Sequence, residues 1–126
     1  MRTNPVKHAL RAGRATVGSW LTTADPMPAM YMAGTGFDWL VVDQEHSTID
    51  FETAALMCQA IANAGGVPLV RVPWSNAENA KRALDSGAFG LVFPMQSSRA
   101  AAEQSVSFSL YPPRGRRGFG PRLGVT

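Results

Sequence analysis

The stretch from Phe37 to Ser47 constrains the chain most: Trp39, Leu40, Val41 and Val42 form an unbroken apolar run that stops at Asp43, Gln44, Glu45 and His46. An apolar run without polar alternation is the pattern of a strand buried on both faces, as in parallel sheets covered by helices. Similar runs recur at Ala15–Leu21, Val67–Val72 and Phe89–Phe93, so strands are expected to end near positions 21, 43, 72 and 94. In α/β folds the carboxyl ends of parallel strands gather the binding groups, because the loops converge there.

The segments between the runs carry helix punctuation. Residues 1–14 form a leading helix, with Asn4 as cap, Pro5 at the first helical position and Gly13 past the end. Asp25-Pro26 repeats that signal, and Met27, Met30 and Tyr31 fall at helical spacing; with Met32 they read as packing residues. Asp50 caps a longer helix whose inward stripe is Phe51, Ala54, Ala55, Cys58, Ile61 and Ala62, ending at Gly65-Gly66. Ser75 and Glu78 match a capping box, followed by Ala77, Ala80, Ala83 and Leu84 as the inward set. Ser98 to Phe108 is a further, alanine-rich helix. Residues 15–110 thus read as four βα units, which predicts a parallel sheet with right-handed crossovers. Residues 111–126 form a basic loop rich in Pro and Gly.

Charge removes one class of function. The net charge of +3 is split, with Arg2, Lys7, Arg11 and Arg14 at one end and Arg114, Arg116, Arg117 and Arg122 at the other. Between them nine acids face Arg71, Lys81, Arg82 and Arg99, leaving five net negative charges. A nucleic-acid binder is expected to be more evenly basic or to carry a recognition motif, and this chain does neither. No run is long and apolar enough for a membrane span, and the single cysteine, Cys58, permits no internal disulfide. A cytoplasmic protein acting on small molecules is expected. Cys58 lies on the buried stripe and reads as a structural thiol, His8 as a surface residue. Gly-Arg-Arg-Gly at 115–118 lacks the strand and helix context of a phosphate loop.

Three strand ends deliver groups suited to chemistry: Trp20, then Asp43 with Glu45 and His46, then Arg71. An imidazole is the side chain best suited to accept a proton near neutral pH, so His46 is the candidate base. Asp43, three residues earlier, can hold its ring and favour the imidazolium. Glu45 either binds water near a metal or caps the helix that follows. Arg71 can hold a carboxylate and stabilise a developing enolate oxygen, or form an ion pair with Asp43 or Glu45.

Four segments in order resemble one family: Gly36-Phe-Asp-Trp-Leu-Val-Val-Asp-Gln-Glu-His46, Pro68-Leu-Val-Arg-Val-Pro-Trp74, Leu84-Asp-Ser-Gly-Ala-Phe-Gly-Leu-Val-Phe-Pro-Met95 and Tyr111-Pro-Pro-Arg-Gly-Arg-Arg-Gly118. They are similar to the HpcH/HpaI class II aldolases. The resemblance implies a (β/α)8 TIM barrel of the phosphoenolpyruvate/pyruvate superfamily and a divalent metal, magnesium, manganese or cobalt. The implied reaction is reversible cleavage of a 4-hydroxy-2-oxo acid into pyruvate and an aldehyde. By the same resemblance His46 is the catalytic base, Asp43 its acidic partner, Arg71 the group that stabilises the pyruvate enolate, and Trp20 an aromatic at the aldehyde side. Family members commonly assemble as hexamers.

A full barrel needs about 250 residues, so 126 supply about its first four βα units. The family's metal ligands, a Glu and an Asp, come from strands of the other half, so no metal ligand is assigned within this chain. The expectation is the N-terminal half of an aldolase with little or no activity by itself. The alternatives are a non-catalytic half-barrel that docks on a partner, or a related citryl-CoA-type lyase, against which the Asp-Gln-Glu-His tetrad argues.

Overall fold

The computed structural model describes residues 3–120. The elements alternate as expected: α1 (Pro5–Arg11), β1 (Gly18–Leu21), α2 (Pro26–Ala33), β2 (Trp39–Asp43), α3 (Phe51–Asn63), β3 (Val67–Arg71), α4 (Ala77–Asp85), β4 (Gly90–Val92) and α5 (Arg99–Ser109). The four strands form one parallel sheet in the order β1-β2-β3-β4. β1 and β4 are shorter than their apolar runs, because only Gly18–Leu21 and Gly90–Val92 find partners in the ladder. Part of the expected basic loop, residues 121–126, lies outside the described residues, as do positions 1 and 2 of the leading segment.

Side chains alternate across a strand, so each strand serves two faces. Leu21, Leu40, Val42 and Val70 join Ala54, Met57, Cys58 and Ile61 of α3 in one buried cluster between sheet and helices. Trp20, Val41, Asp43, Leu69 and Arg71 fall on the opposite face, where register sets Trp20 beside Val41, Val41 beside Leu69, and Asp43 beside Arg71. Val41 is fully buried there as well, as an unalternating apolar strand requires. Burial raises the Cys58 thiol to about 12, which keeps it an inert packing group.

Local chemistry explains the helix starts. Asn4, Asp25, Asp50 and Ser98 each accept a backbone N–H bond of the first turn, from Lys7, Met27, Thr53 and Ala101. The Asn4 amide also donates to the Phe89 carbonyl, which ties α1 to the entrance of β4. The capping box at Ser75 does not form. Asn76 caps α4 by accepting from Asn79, while the Ser75 hydroxyl donates to the Pro94 carbonyl across the loops. The inward face of α4 is Ala80 and Ala83; Ala77 is exposed.

α2 also departs from expectation. Met27, Met30 and Tyr31 face outward, and the buried residues are Ala29 and Ala33. Small residues let α2 approach α3 closely, and only Met32 of the methionines there packs against the core.

Gly18 is required by contact rather than by dihedral angle. A Cβ built there falls 2.0 Å from the Trp39 ring, whose Nε1 donates to Thr16 Oγ1 at 3.2 Å. Gly18→Ala is therefore expected to displace Trp39 and cost about 1–3 kcal/mol. Urea denaturation checks this against Gly34→Ala, whose Cβ meets nothing closer than 3.4 Å.

Candidate active site

The end of β2 and the end of β3 are hydrogen-bonded neighbours, and their last residues are Asp43 and Arg71. The Arg71 Nε donates to Asp43 Oδ1 at 2.8 Å, and Nη2 donates to Oδ2. The third guanidinium nitrogen, Nη1, lies 3.1 Å from Glu45 Oε2. The guanidinium sits over the Trp20 ring, 4.6 Å from its centroid. Trp20, Asp43, Glu45 and Arg71 are thus one contiguous cluster drawn from three strands. Both readings of Arg71 are compatible with this geometry, since the ion pair fixes the cation at the strand ends.

Asp43 is 2 % exposed and carries more than its pair with arginine. Its Oδ1 also accepts the backbone N–H of Glu45 at 3.0 Å and of His46 at 3.3 Å. The Ser47 hydroxyl donates to the Asp43 carbonyl, and Ser47 Oγ accepts from the Ile49 N–H. These bonds fold Asp43–Ile49 into a compact turn that carries Glu45 and His46 back over the end of β2. Ser47 had no signal in the sequence beyond its hydroxyl, because its role depends on a turn formed by tertiary contacts.

His46 stands apart from the expectation that Asp43 holds its ring. The ring is 71 % exposed, and the acid near it is Glu45, with Oε1 3.7 Å from Nε2. Asp43 meets His46 only through the backbone N–H, because Arg71 and the turn use its carboxylate oxygens. Glu45 does not cap α3, a role taken by Asp50; it bridges toward Arg71 and His46 instead.

The hydrogen bonds from Arg71 hold the Asp43 carboxyl below the usual aspartate range; burial opposes them, and the His46 and Glu45 N–H groups reinforce them. The same pairing raises Arg71. Asp43 therefore contributes stability that is present above the ordinary aspartate pKa and is lost as pH falls through its depressed folded value. Stability of the chain is expected to drop steeply below about pH 4. In Asp43→Asn the drop is shallower, and urea midpoints measured from neutral to acid pH check it.

Among the described residues no group of three or more His, Cys, Asp or Glu side chains is arranged to hold a metal ion. The two acids at the site, Asp43 and Glu45, both face Arg71. The residues present do not fit a divalent-metal site.

The profile of the HpcH/HpaI aldolase/citrate lyase family matches residues 16–124. A 4-hydroxy-2-oxo-heptane-1,7-dioate aldolase of Salmonella dublin is 41% identical over 120 residues, covering 95% of this chain and 46% of its own length. A family protein of Burkholderia cenocepacia J2315, of solved structure, superposes with a TM-score of 0.90 at 35% identity, over 97% of this chain and 51% of the other. The HpcH/HpaI aldolase of Desulfitobacterium hafniense DCB-2 gives a TM-score of 0.86 at 33% identity, over 94% and 46%. The chain spans about half the length of the curated relatives it matches. With its four parallel βα units as a partial barrel of that fold, this chain belongs to the HpcH/HpaI aldolase/citrate lyase family.

Proposed function

We propose that the strand-end cluster is the base side of an aldolase pocket that cleaves a 4-hydroxy-2-oxo acid to pyruvate and an aldehyde. The observation that carries this reading is Arg71, fixed at the end of β3 by Asp43 and Glu45 over Trp20, with His46 exposed beside it. Cleavage begins when a base takes the proton of the 4-hydroxyl group. The C3–C4 bond then breaks, its electron pair moves to the 2-oxo oxygen as an enolate, and the C4 fragment leaves as the aldehyde. His46 is the accessible base for that proton. Arg71 is the fixed cation for the oxo-acid oxygens and the enolate charge, since a guanidinium held in place loses little on meeting it. Asp43 and Glu45 position Arg71, and Trp20 supplies an apolar wall on the aldehyde side.

The family resemblance implies a divalent cation, and the described residues offer no ligand set for it. Its ligands are assigned to the half of the relatives that this chain does not match. Substrates of this class are small and soluble, and no helix among the described residues is long and apolar enough to cross a membrane. Assembly into hexamers, as in the family, belongs to the same proposal.

The test is pyruvate release from 4-hydroxy-2-oxo-heptane-1,7-dioate with manganese present. The 126-residue chain alone is expected to give little or none. Joined to the second half of the Salmonella dublin relative, it is expected to turn over. Robust turnover by the chain alone would show that the described cluster is a complete site and refute the reading.

A further inference from the structure

A second cluster of charge lies away from the strand ends, where the loop after α5 crosses α4. A cleft of about 460 Å³ opens there, lined by Ala77, Glu78, Lys81, Arg82, Arg116 and Arg117 together with Gly118. Four of these side chains are cations and one is an acid.

The cations differ in what already neutralises them. Arg117 donates from Nη2 to Asp85 Oδ1 at 2.6 Å, and Arg82 lies 3.4 Å from Glu78 Oε1. Lys81 and Arg116 have no carboxylate within ion-pair distance among the described residues, and the Arg116 guanidinium lies 5.6 Å from the centre of the Phe108 ring. Arg117 is only 8 % exposed, packs 4.7 Å from the centre of the Tyr111 ring, and keeps a buried Nε with no hydrogen-bond partner. Asp85 offsets the Arg117 charge and Glu78 that of Arg82, so the unbalanced positive charge of the cleft rests on Lys81 and Arg116.

The loop that presents these groups is held firmly. The Arg116 N–H donates to the Ser107 carbonyl at 2.7 Å and the Arg117 N–H to the Leu110 carbonyl at 2.9 Å. Gly115 allows that approach, since a Cβ there would fall 2.3 Å from the Leu110 carbonyl oxygen. The backbone that carries Arg116 is therefore held beside α4, and the exposed side chains of Arg116 and Lys81 both line the cleft.

We propose that this cleft binds a dianionic oxyanion, either inorganic phosphate or the phosphoryl group of a small molecule. Lys81 and Arg116 are its direct partners and Arg117 is the anchored cation behind them. This is a side-chain site, distinct in kind from a phosphate loop, whose backbone N–H groups would do the binding. Forked guanidinium donors beside an ammonium match the several oxygens of a phosphoryl group. The proposal does not rest on the aldolase reading, because no residue of the strand-end cluster takes part.

Titration calorimetry of the whole chain at low salt, with inorganic phosphate and separately with phenyl phosphate, tests it. Saturable binding is expected, weakened about tenfold or more in the Lys81→Ala/Arg116→Ala double variant and unchanged in His46→Ala. Both substituted side chains are exposed, so circular dichroism is expected to show an intact fold. Tighter binding of phenyl phosphate assigns the site to a phosphorylated small molecule; equal binding assigns it to phosphate itself. No saturable binding of either probe up to about 20 mM, or equal affinity in the folded double variant, overturns the proposal.

Discussion

Arg71→Leu is expected to cost about 3 kcal/mol of folding stability, toward the low end of what breaking a buried ion pair costs when one charge is left behind. Asp43 is 2 % exposed and would lose both hydrogen bonds from the guanidinium. It would keep the backbone N–H bonds of Glu45 and His46, and the Arg71 site is 22 % open to water, which limits the loss. The marginal stability of small domains makes a loss of this size enough to unfold a substantial share of the chains. The matching double variant, Arg71→Leu with Asp43→Asn, removes the stranded charge and is expected to recover part of the loss. Urea denaturation of the wild type, both single variants and the double variant closes the cycle. Additive losses would mean that the pair is not coupled.

The strand order and the polar strand ends were legible because an apolar run that stops in acids is a local pattern. The caps at Asn4, Asp25 and Asp50 were legible for the same reason: a side chain three residues or fewer from its N–H partner needs no tertiary context. Ser75 and Asn76 are adjacent residues of equal capping skill, and the choice fell to Asn76 when the Pro94 carbonyl claimed the serine. The outward turn of Met27 and Tyr31 was hidden because helix spacing alone does not say which stripe faces in. Close approach of α2 to α3 favoured Ala29 and Ala33. At the site, the sequence named the cluster and left Asp43 two partners, the His46 ring and Arg71. Arg71 lies 28 residues from Asp43, and only the parallel register of β2 and β3 decides that Asp43 pairs with Arg71 rather than holding the His46 ring.

His46→Ala is expected to have the largest effect on turnover, a loss of about 10²–10⁴-fold in kcat once the chain is joined to the second half of the Salmonella dublin relative. The base acts on a proton that moves only in the reaction, so KM for the oxo acid is expected to change far less than kcat. Folding is expected to be unaffected, since the imidazole is 71 % exposed and makes no hydrogen bond through its ring among the described residues. Glu45→Gln is expected to give a smaller loss, because Glu45 positions both His46 and Arg71 without touching the migrating proton. The direct test is therefore pyruvate release by the joined protein with manganese, wild type against His46→Ala, both verified as folded. A large drop in kcat at near-constant KM is the predicted result. Equal turnover by the two proteins would contradict the assignment of the strand-end cluster as the base side of the pocket.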